Sequence, residues 1–235
     1  MRALRVAILI PAFQASRTIA HLVRQIQRQV ERESLPIPLW VIDDGSSDGT
    51  AEAAQAAGAT VLSHRVNRGK GAALLTGFRA LGTENFEAAV TVDADGQHLP
   101  EEALRLALHP ATAETFVLGV RNLKRDGAPP SSQFSNGVSN RFLSWFSGVQ
   151  LLDTQCGLRR YPLRQILGLR CRSPGYAFEA EVILRAKRAG LTIEQVPVRV
   201  LYPPPAQRLS HFHVVKDPAR IVFRVLGTWL ERGAP

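Results

Sequence analysis

Short unbroken apolar runs alternate with stretches of helical spacing through the first hundred residues. Residues 6–10 are continuously apolar and end at Pro11. Such a run predicts a strand buried on both faces. Ile19, Leu22, Val23, Ile26 and Val30 then share one helix face, with Ser16 or Thr18 as the N-cap. Residues 39–42 predict a second buried strand that runs into Asp43-Asp44-Gly45. The alanine-rich stretch 50–57 predicts a helix stopped by Gly58. A third strand over 60–62, a helix over 71–81 and a fourth strand over 88–92 follow, the last leading into Asp93.

The second half is less regular. Residues 116–120 predict a strand, and 126–132, with paired prolines, a loop. Residues 134–149 carry Phe142, Trp145 and Phe146 and predict a helix. A helix over 178–189 stops at Gly190, and a strand follows over 194–201. Three consecutive prolines exclude helix and central strand from 202–207. Asp217-Pro218 opens a last amphipathic helix through N-cap and N1 preferences, its apolar face being Val222, Val225, Leu226, Trp229 and Leu230. That face packs on the sheet or lies on a membrane; core packing is the simpler expectation.

This βαβαβ rhythm predicts an α/β protein, Rossmann-like, with a mostly parallel sheet and helices on both faces. One domain over 1–235 is expected, with a ligand-binding half at 1–100, a second half at 101–215 and the last helix at 216–235. Ligands in such sheets sit beyond the carboxyl ends of the strands. Three polar clusters fall at such ends: 11–15, 43–47 and 93–98.

Charge narrows the partners. The net charge of +9 favours anions: nucleic acid, anionic lipid or phosphorylated substrates, against the plain alternative of a basic solvated face. No apolar run reaches about eighteen residues, the length of a membrane-spanning helix. No signal peptide is read at the N-terminus. Cys156 and Cys171 have no metal-ligand spacing and fit a reduced cytoplasmic setting.

Asp93-Ala94-Asp95 puts two carboxylates in one tight turn just past a buried strand. Two like charges there cost free energy unless a cation compensates them. Magnesium and manganese take oxygen ligands, often one or two carboxylates with substrate phosphates, and Gln97 adds an amide oxygen. A solvated turn before a helix start at Glu101 and Glu102 is the plainer alternative. Asp43 can accept hydrogen bonds from a base or ribose, while Ser47 or Asp48 caps the next helix. Asn67-Arg68-Gly69-Lys70-Gly71 is a basic turn before a helix, where glycines admit close ligand approach and the N-terminus favours anions. It is not a phosphate loop of the G-x-x-x-x-G-K-S/T type.

Together, Val41-Ile42-Asp43-Asp44-Gly45-Ser46, Asn67-Arg68-Gly69-Lys70-Gly71 and Asp93-Ala94-Asp95-Gly96-Gln97-His98 resemble family 2 glycosyltransferases, in the dolichol/polyprenyl-phosphate mannosyltransferase branch. The resemblance continues through Asp153-Thr154-Gln155-Cys156-Gly157-Leu158-Arg159, Glu179-Ala180-Glu181 and Val196-Pro197-Val198. It implies a GT-A fold, an inverting mechanism and a nucleoside-diphosphate sugar donor with Mg²⁺ or Mn²⁺. By position, Asp93, Asp95 and Gln97 would hold the metal. Pro11, Ala12, Asp43, Lys70 and Ala94 would line the donor site with Asp93 and Asp95. Arg121, Arg141 and Arg208 match basic positions near donor and acceptor phosphates, and Ser210 and His211 join them as expected acceptor contacts. An acceptor phosphate would need this cationic guidance; an acceptor hydroxyl would need a carboxylate base, for which Asp153 and Glu179 are the candidates. The ordinary alternative for Glu179 and Glu181 is a solvated helix face.

The sequence departs from the family's pattern in two places. Pro11-Ala12-Phe13-Gln14-Ala15 stands where the family usually has Pro-Ala-Tyr-Asn-Glu, so the glutamate is missing and the base contact, and with it the nucleotide, is left open. Arg208-Leu209-Ser210-His211 follows three prolines where the family often has a shorter basic turn. The implied partners are a nucleotide sugar, a lipid or lipid-phosphate acceptor and an anionic membrane surface, with a peripheral cytoplasmic location. Three other classes fit less well. A nucleotidyltransferase would carry glycine and lysine after the first strand, and 11–16 has neither. A nicotinamide oxidoreductase would show G-x-G-x-x-G there. A nucleic-acid binder gains nothing from Asp93 beside Asp95, which repel phosphates.

Overall fold

The computed structural model describes residues 4–202 and Gly227. The elements run β1 (Val6–Ala12), α1 (Ile19–Arg32), β2 (Leu39–Asp43), α2 (Thr50–Ala56), β3 (Thr60–Ser63), α3 (Lys70–Thr83), β4 (Ala88–Thr91), α4 (Pro100–Ala107), β5 (Phe116–Arg121), α5 (Pro130–Ser147), β6 (Arg159–Pro162), α6 (Leu163–Gly168), α7 (Ala177–Arg188) and β7 (Ile193–Val198). The strands form one sheet in the order β3-β2-β1-β4-β6-β5-β7. It is mostly parallel, as expected, with β6 running antiparallel to both β4 and β5.

Alternation along β1 explains the two layers. Val6, Ile8, Ile10 and Ala12 face one core with α1, α2 and α4. Ala7 and Leu9 face the other, filled from α3, α6 and α7 and by Phe116, Tyr161 and Phe178. The five residues expected on the inner face of α1 are its buried residues.

Some expectations fail for identifiable reasons. Pro11 does not end β1, which continues through Ala12 beside Asp43. Pairing with β4 stops at Leu9, so the missing N–H of Pro11 leaves no ladder bond unmade. Thr18 does not cap α1 with its side chain. Its hydroxyl donates instead to the Ala94 carbonyl at 2.7 Å, pinning the acidic turn to the start of α1. The expected loop over 126–132 is already helix from Pro130, with proline at the first helical position. The last strand ends at Val198 rather than at 201, although Val200 still bridges His98.

β6 and α6 have no counterpart among the expected elements. Arg159-Arg160-Tyr161-Pro162 lacks the apolar run of an inner strand, yet all four residues are buried. The strand is tolerated because its arginines serve carbonyls. Arg159 donates to the backbone oxygens of Cys156, Thr154 and Glu179, and Arg160 to those of His109 and Ala111. Buried charge is tolerated where its donors are taken up in this way. Arg208, Ser210, His211 and the expected last helix lie outside the described residues.

Candidate active site

The polar clusters gather at the carboxyl edge of β1, β2 and β4. The first two are laced together. The Gln14 N–H donates to Ser46 Oγ at 2.9 Å, the Ala15 N–H to Thr50 Oγ1 at 2.8 Å, and the Ser16 N–H to Asp48 Oδ2 at 3.0 Å. Pro11, Ala12 and Asp43 are buried at this edge; the Asp43 carboxylate accepts the Ser46 N–H at 3.3 Å, and its carbonyl accepts the His64 N–H at 2.8 Å. Ser47 does not cap α2. Gly49 holds that position in a left-handed conformation, and Asp48 Oδ1 takes the Thr50 N–H at 3.1 Å.

Asp44 has a role the sequence did not suggest. It is buried, and Oδ1 meets His64 Nδ1 at 2.6 Å while His64 Nε2 reaches Thr76 Oγ1 at 2.9 Å. Asp44 also accepts the N–H groups of Arg68 and Gly69, at 3.0 and 2.6 Å. It therefore ties down the turn that leads into Lys70. The glycines of that turn admit the close approach of neighbouring backbone. Gly69 has φ of +92°, and a Cβ there would stand 2.6 Å from the Pro174 carbonyl oxygen. A Cβ on Gly71 would stand 2.3 Å from the Ser173 carbonyl oxygen.

Lys70, at the first position of α3, reaches into the acidic turn after β4. Its Nζ lies 2.6 Å from Asp93 Oδ1 and 3.0 Å from Glu179 Oε1. His98 Nε2 stands 3.6 Å from Asp93 Oδ2, an electrostatic neighbour too distant for a good hydrogen bond. Gly157 packs directly against this group: a Cβ there would fall 2.1 Å from Asp93 Oδ2. Asp95 Oδ1 accepts the Gln97 N–H at 2.9 Å within its own turn. The Leu201 N–H donates to the Gln97 carbonyl at 2.8 Å, so the chain after β7 returns to this turn.

The charges do not balance. Burial works to raise the Asp93 carboxyl, but the Lys70 ammonium and neighbouring His98 outweigh it and hold the group well below the usual carboxylate range. Burial likewise opposes the charge on Lys70, and Asp93 and Glu179 together hold it above an ordinary lysine. Asp95 moves the other way: burial first, then the Asp93 charge, push its carboxyl up. One ammonium thus serves Asp93 and Glu179, and Asp95 is left in excess. Among the described residues no three His, Cys, Asp or Glu side chains are grouped to enclose a metal. The residues that could hold a hard divalent cation here are the two turn carboxylates, Asp93 and Asp95, with the Gln97 amide oxygen, a substrate completing the set.

A second cationic post stands at the end of β5. Arg121 donates through Nε to Asp153 Oδ2 at 2.7 Å, through an NH2 group to Oδ1 at 3.0 Å, and to the Tyr202 hydroxyl at 3.3 Å. Asp153 is fully buried and also accepts the N–H groups of Arg121, Gln155 and Cys156. Burial disfavours the Arg121 charge, but Asp153 outweighs it and raises the guanidinium above its usual value. Residues 153–157 thus run from the partner of Arg121 to the glycine against Asp93. Arg141 is on an exposed face of α5 and is not brought to this group by any ion pair among the described residues. Glu179 and Glu181 are not a solvated face. Both are buried, Glu179 beside Lys70 and Glu181 accepting the Arg172 and Ser173 N–H groups and pairing with Arg185.

Comparison with known proteins shows the family. The model of the glycosyl transferase family 2 matches residues 7–167. An undecaprenyl-phosphate mannosyltransferase of Micrococcus luteus is 31% identical over 196 residues, 72% of this chain and 78% of that protein. A polyprenol monophosphomannose synthase of Mycolicibacterium smegmatis is 28% identical over 206 residues, 83% of this chain and 76% of that protein. A solved glucosyl-3-phosphoglycerate synthase of Mycobacterium tuberculosis, in complex with Mn²⁺, UDP and phosphoglyceric acid, aligns over 98% of this chain and 79% of that one. Its TM-score is 0.71 at 22% identity. That last likeness concerns the fold, which is GT-A.

Proposed function

The chain belongs to glycosyl transferase family 2, resembling its dolichol/polyprenyl-phosphate mannosyltransferase branch, and from that premise we propose that it moves a sugar, with inversion, from a nucleoside-diphosphate sugar to a polyprenyl phosphate. One observation carries the choice of acceptor. Both carboxylates expected as a general base are already committed to cations: Asp153 to Arg121, and Glu179 to Lys70. A hydroxyl acceptor needs a base to take its proton, whereas a phosphate arrives as an anion and needs only charge and alignment. Transfer to a lipid or sugar hydroxyl is the second reading.

In this proposal Pro11, Ala12 and Asp43 hold the nucleoside, while Asp93, Asp95 and Gln97 hold a Mg²⁺ or Mn²⁺. When bound, that ion neutralises charge on the departing diphosphate. Lys70, fixed by Asp93 and Glu179, adds a positive charge beside the same group. Arg121, aligned by the buried Asp153, faces the phosphates, and Asp153 is a positioning residue. Arg141, Arg208, Ser210 and His211 are assigned to the acceptor by position in the sequence. Donor contacts then fall mainly within 1–100 and acceptor contacts within 101–215, with Glu179 reaching across. The +9 charge and lipid acceptor support work at an anionic membrane surface from the cytoplasmic side.

The test is a screen of UDP, GDP and dTDP sugars, with and without Mn²⁺, against polyprenyl phosphate and the corresponding polyprenol, followed by product mass. Metal-dependent transfer to the phosphate is expected. Failure to bind any nucleotide sugar in a metal-dependent way would sink the donor half, and product on the free alcohol alone would sink the acceptor half. Asp95→Asn should abolish metal-dependent turnover while the fold survives; near-normal activity would refute its assignment.

A further inference from the structure

Helix α5 turns a narrow apolar stripe to solvent. Phe134, Val138 and Trp145 are 76, 55 and 78% exposed, and Arg141 is exposed between them. At 100° per residue these four positions fall within a sector of about 60°. The opposite side is anchored: Asn136 and Leu143 are buried, and Phe142 and Phe146 pack partly into the core layer of α3 and α7. Leu152, 53% exposed, continues the apolar surface just past the helix, and its carbonyl accepts the Asn140 side-chain amide at 2.6 Å.

The charge pattern of the helix identifies its occupant. Pro130–Ser147 contains no Asp, Glu or Lys, and its single charge is Arg141. A solvated helix face ordinarily carries charged residues, and this one carries large apolar side chains around one arginine. Such a face, with no carboxylate to be repelled, complements an anionic lipid surface, where tryptophan and arginine place an apolar body inward and a polar tip at the headgroups. The helix is also tied to the site through its flank, about 100° round from Arg141. Asn140 Oδ1 accepts the Thr154 N–H at 2.8 Å, next to the Asp153 that holds Arg121.

We propose that the Phe134, Val138, Arg141 and Trp145 face of α5, extended by Leu152, is the surface by which this protein seats on an anionic bilayer, with the apolar side chains at the headgroup boundary and Arg141 against lipid phosphate. The inference rests on the lipid-phosphate reading of the acceptor and assigns the surface that reading requires.

The experiment uses the full chain and flotation with two vesicle types, phosphatidylcholine alone and phosphatidylcholine with one third phosphatidylglycerol. The wild type is expected to float with the anionic vesicles, and Phe134→Ser with Trp145→Ser together to lower its partition at least about tenfold. Thermal melting and turnover of a short-chain, detergent-dispersed polyprenyl phosphate should stay near wild type in that double variant. Brominated lipid should quench fluorescence of the wild type and not of Trp145→Phe. Equal flotation of wild type and double variant overturns the docking surface, as does a wild type that ignores anionic vesicles. A dimer that the double variant dissociates assigns the stripe to a second copy, and iodide failing to reach Trp145 without lipid assigns it to residues 203–235; either overturns the proposal. If the short-chain acceptor is turned over while docking fails, the transfer reading stands without this surface. If no polyprenyl phosphate is ever glycosylated, the transfer reading itself fails.

Discussion

Replacing Lys70 with methionine keeps most of the side chain's stem and removes its ammonium. In the wild type that ammonium lies 2.6 Å from Asp93 and 3.0 Å from Glu179, with side-chain exposures of 16, 26 and 10% for Lys70, Asp93 and Glu179. Removing one partner of a buried ion pair costs about 3–5 kcal/mol, because the remaining charge stays desolvated. Asp93 retains some access to water, so the lower end applies, about 3 kcal/mol. For a domain of this size that is a fall in melting temperature of roughly 6–12 °C.

The pH dependence separates this cause from lost packing. Asp93 titrates in the fold below its usual value, so its contribution is complete above roughly pH 4 and fades as pH falls through the folded value. Lys70 titrates above its usual value, so its contribution is complete below roughly pH 10 and fades as pH rises through the folded value. Between those limits the wild type keeps the full benefit. In Lys70→Met, burial raises the Asp93 carboxyl with only His98 left to oppose it, and mild acid relieves it by protonation. The gap between the two proteins should therefore narrow from pH 7 to pH 4.5, and Mn²⁺ should raise the variant's melting temperature more than the wild type's. Melts followed by near-ultraviolet circular dichroism at both pH values provide the check. A loss below about 1 kcal/mol, within the range of exposed pairs, or a gap that does not change with pH, would refute the electrostatic reasoning.

Two further substitutions probe the neighbouring contacts. Asp153→Asn keeps the shape but removes the charge aligned with Arg121, and should cost about 2–4 kcal/mol in urea unfolding while depressing turnover; unchanged unfolding would show that the pair is not a buried anchor. Gly157→Ala places a methyl where Asp93 Oδ2 now stands, and should reduce Mn²⁺ affinity about tenfold or more with the far-ultraviolet spectrum intact; calorimetric titration showing wild-type affinity would remove Asp93 from the metal assignment.

Much of this architecture is visible in residue order because burial repeats with simple periods. The inner face of α1 and the cores of β1, β2 and β4 follow that rule, and so does the gathering of three polar clusters at one edge. β6 is invisible to it. Arginines in an inner strand look wrong until their carbonyl partners, up to 51 residues away in the chain, are in place. Neighbouring acids raise a related difficulty. Asp43 and Asp44 look equivalent in sequence, but Asp43 closes the strand while Asp44, one residue on, meets His64 and the 68–69 turn. Glu179 and Glu181 differ by two positions on a helix, roughly 200° around it, and so serve different segments.

The basic turn before α3 is held by contacts that its own sequence does not announce. Its glycines suggest a loop opened for a phosphate. In the fold they admit the backbone of 173–175, while Asp44 holds the Arg68 and Gly69 N–H groups from the other side. Three segments distant in sequence thus fix the base of Lys70 before any substrate arrives. The consequence is that the backbone at the base of Lys70 is held where its side chain reaches Asp93. In the proposed transfer, preorganisation of that kind is what electrostatic catalysis needs, since a charge already in position would cost no reorganisation when a diphosphate departs. Loss of Asp44 is therefore expected to act at Asp93 through the turn that carries Lys70.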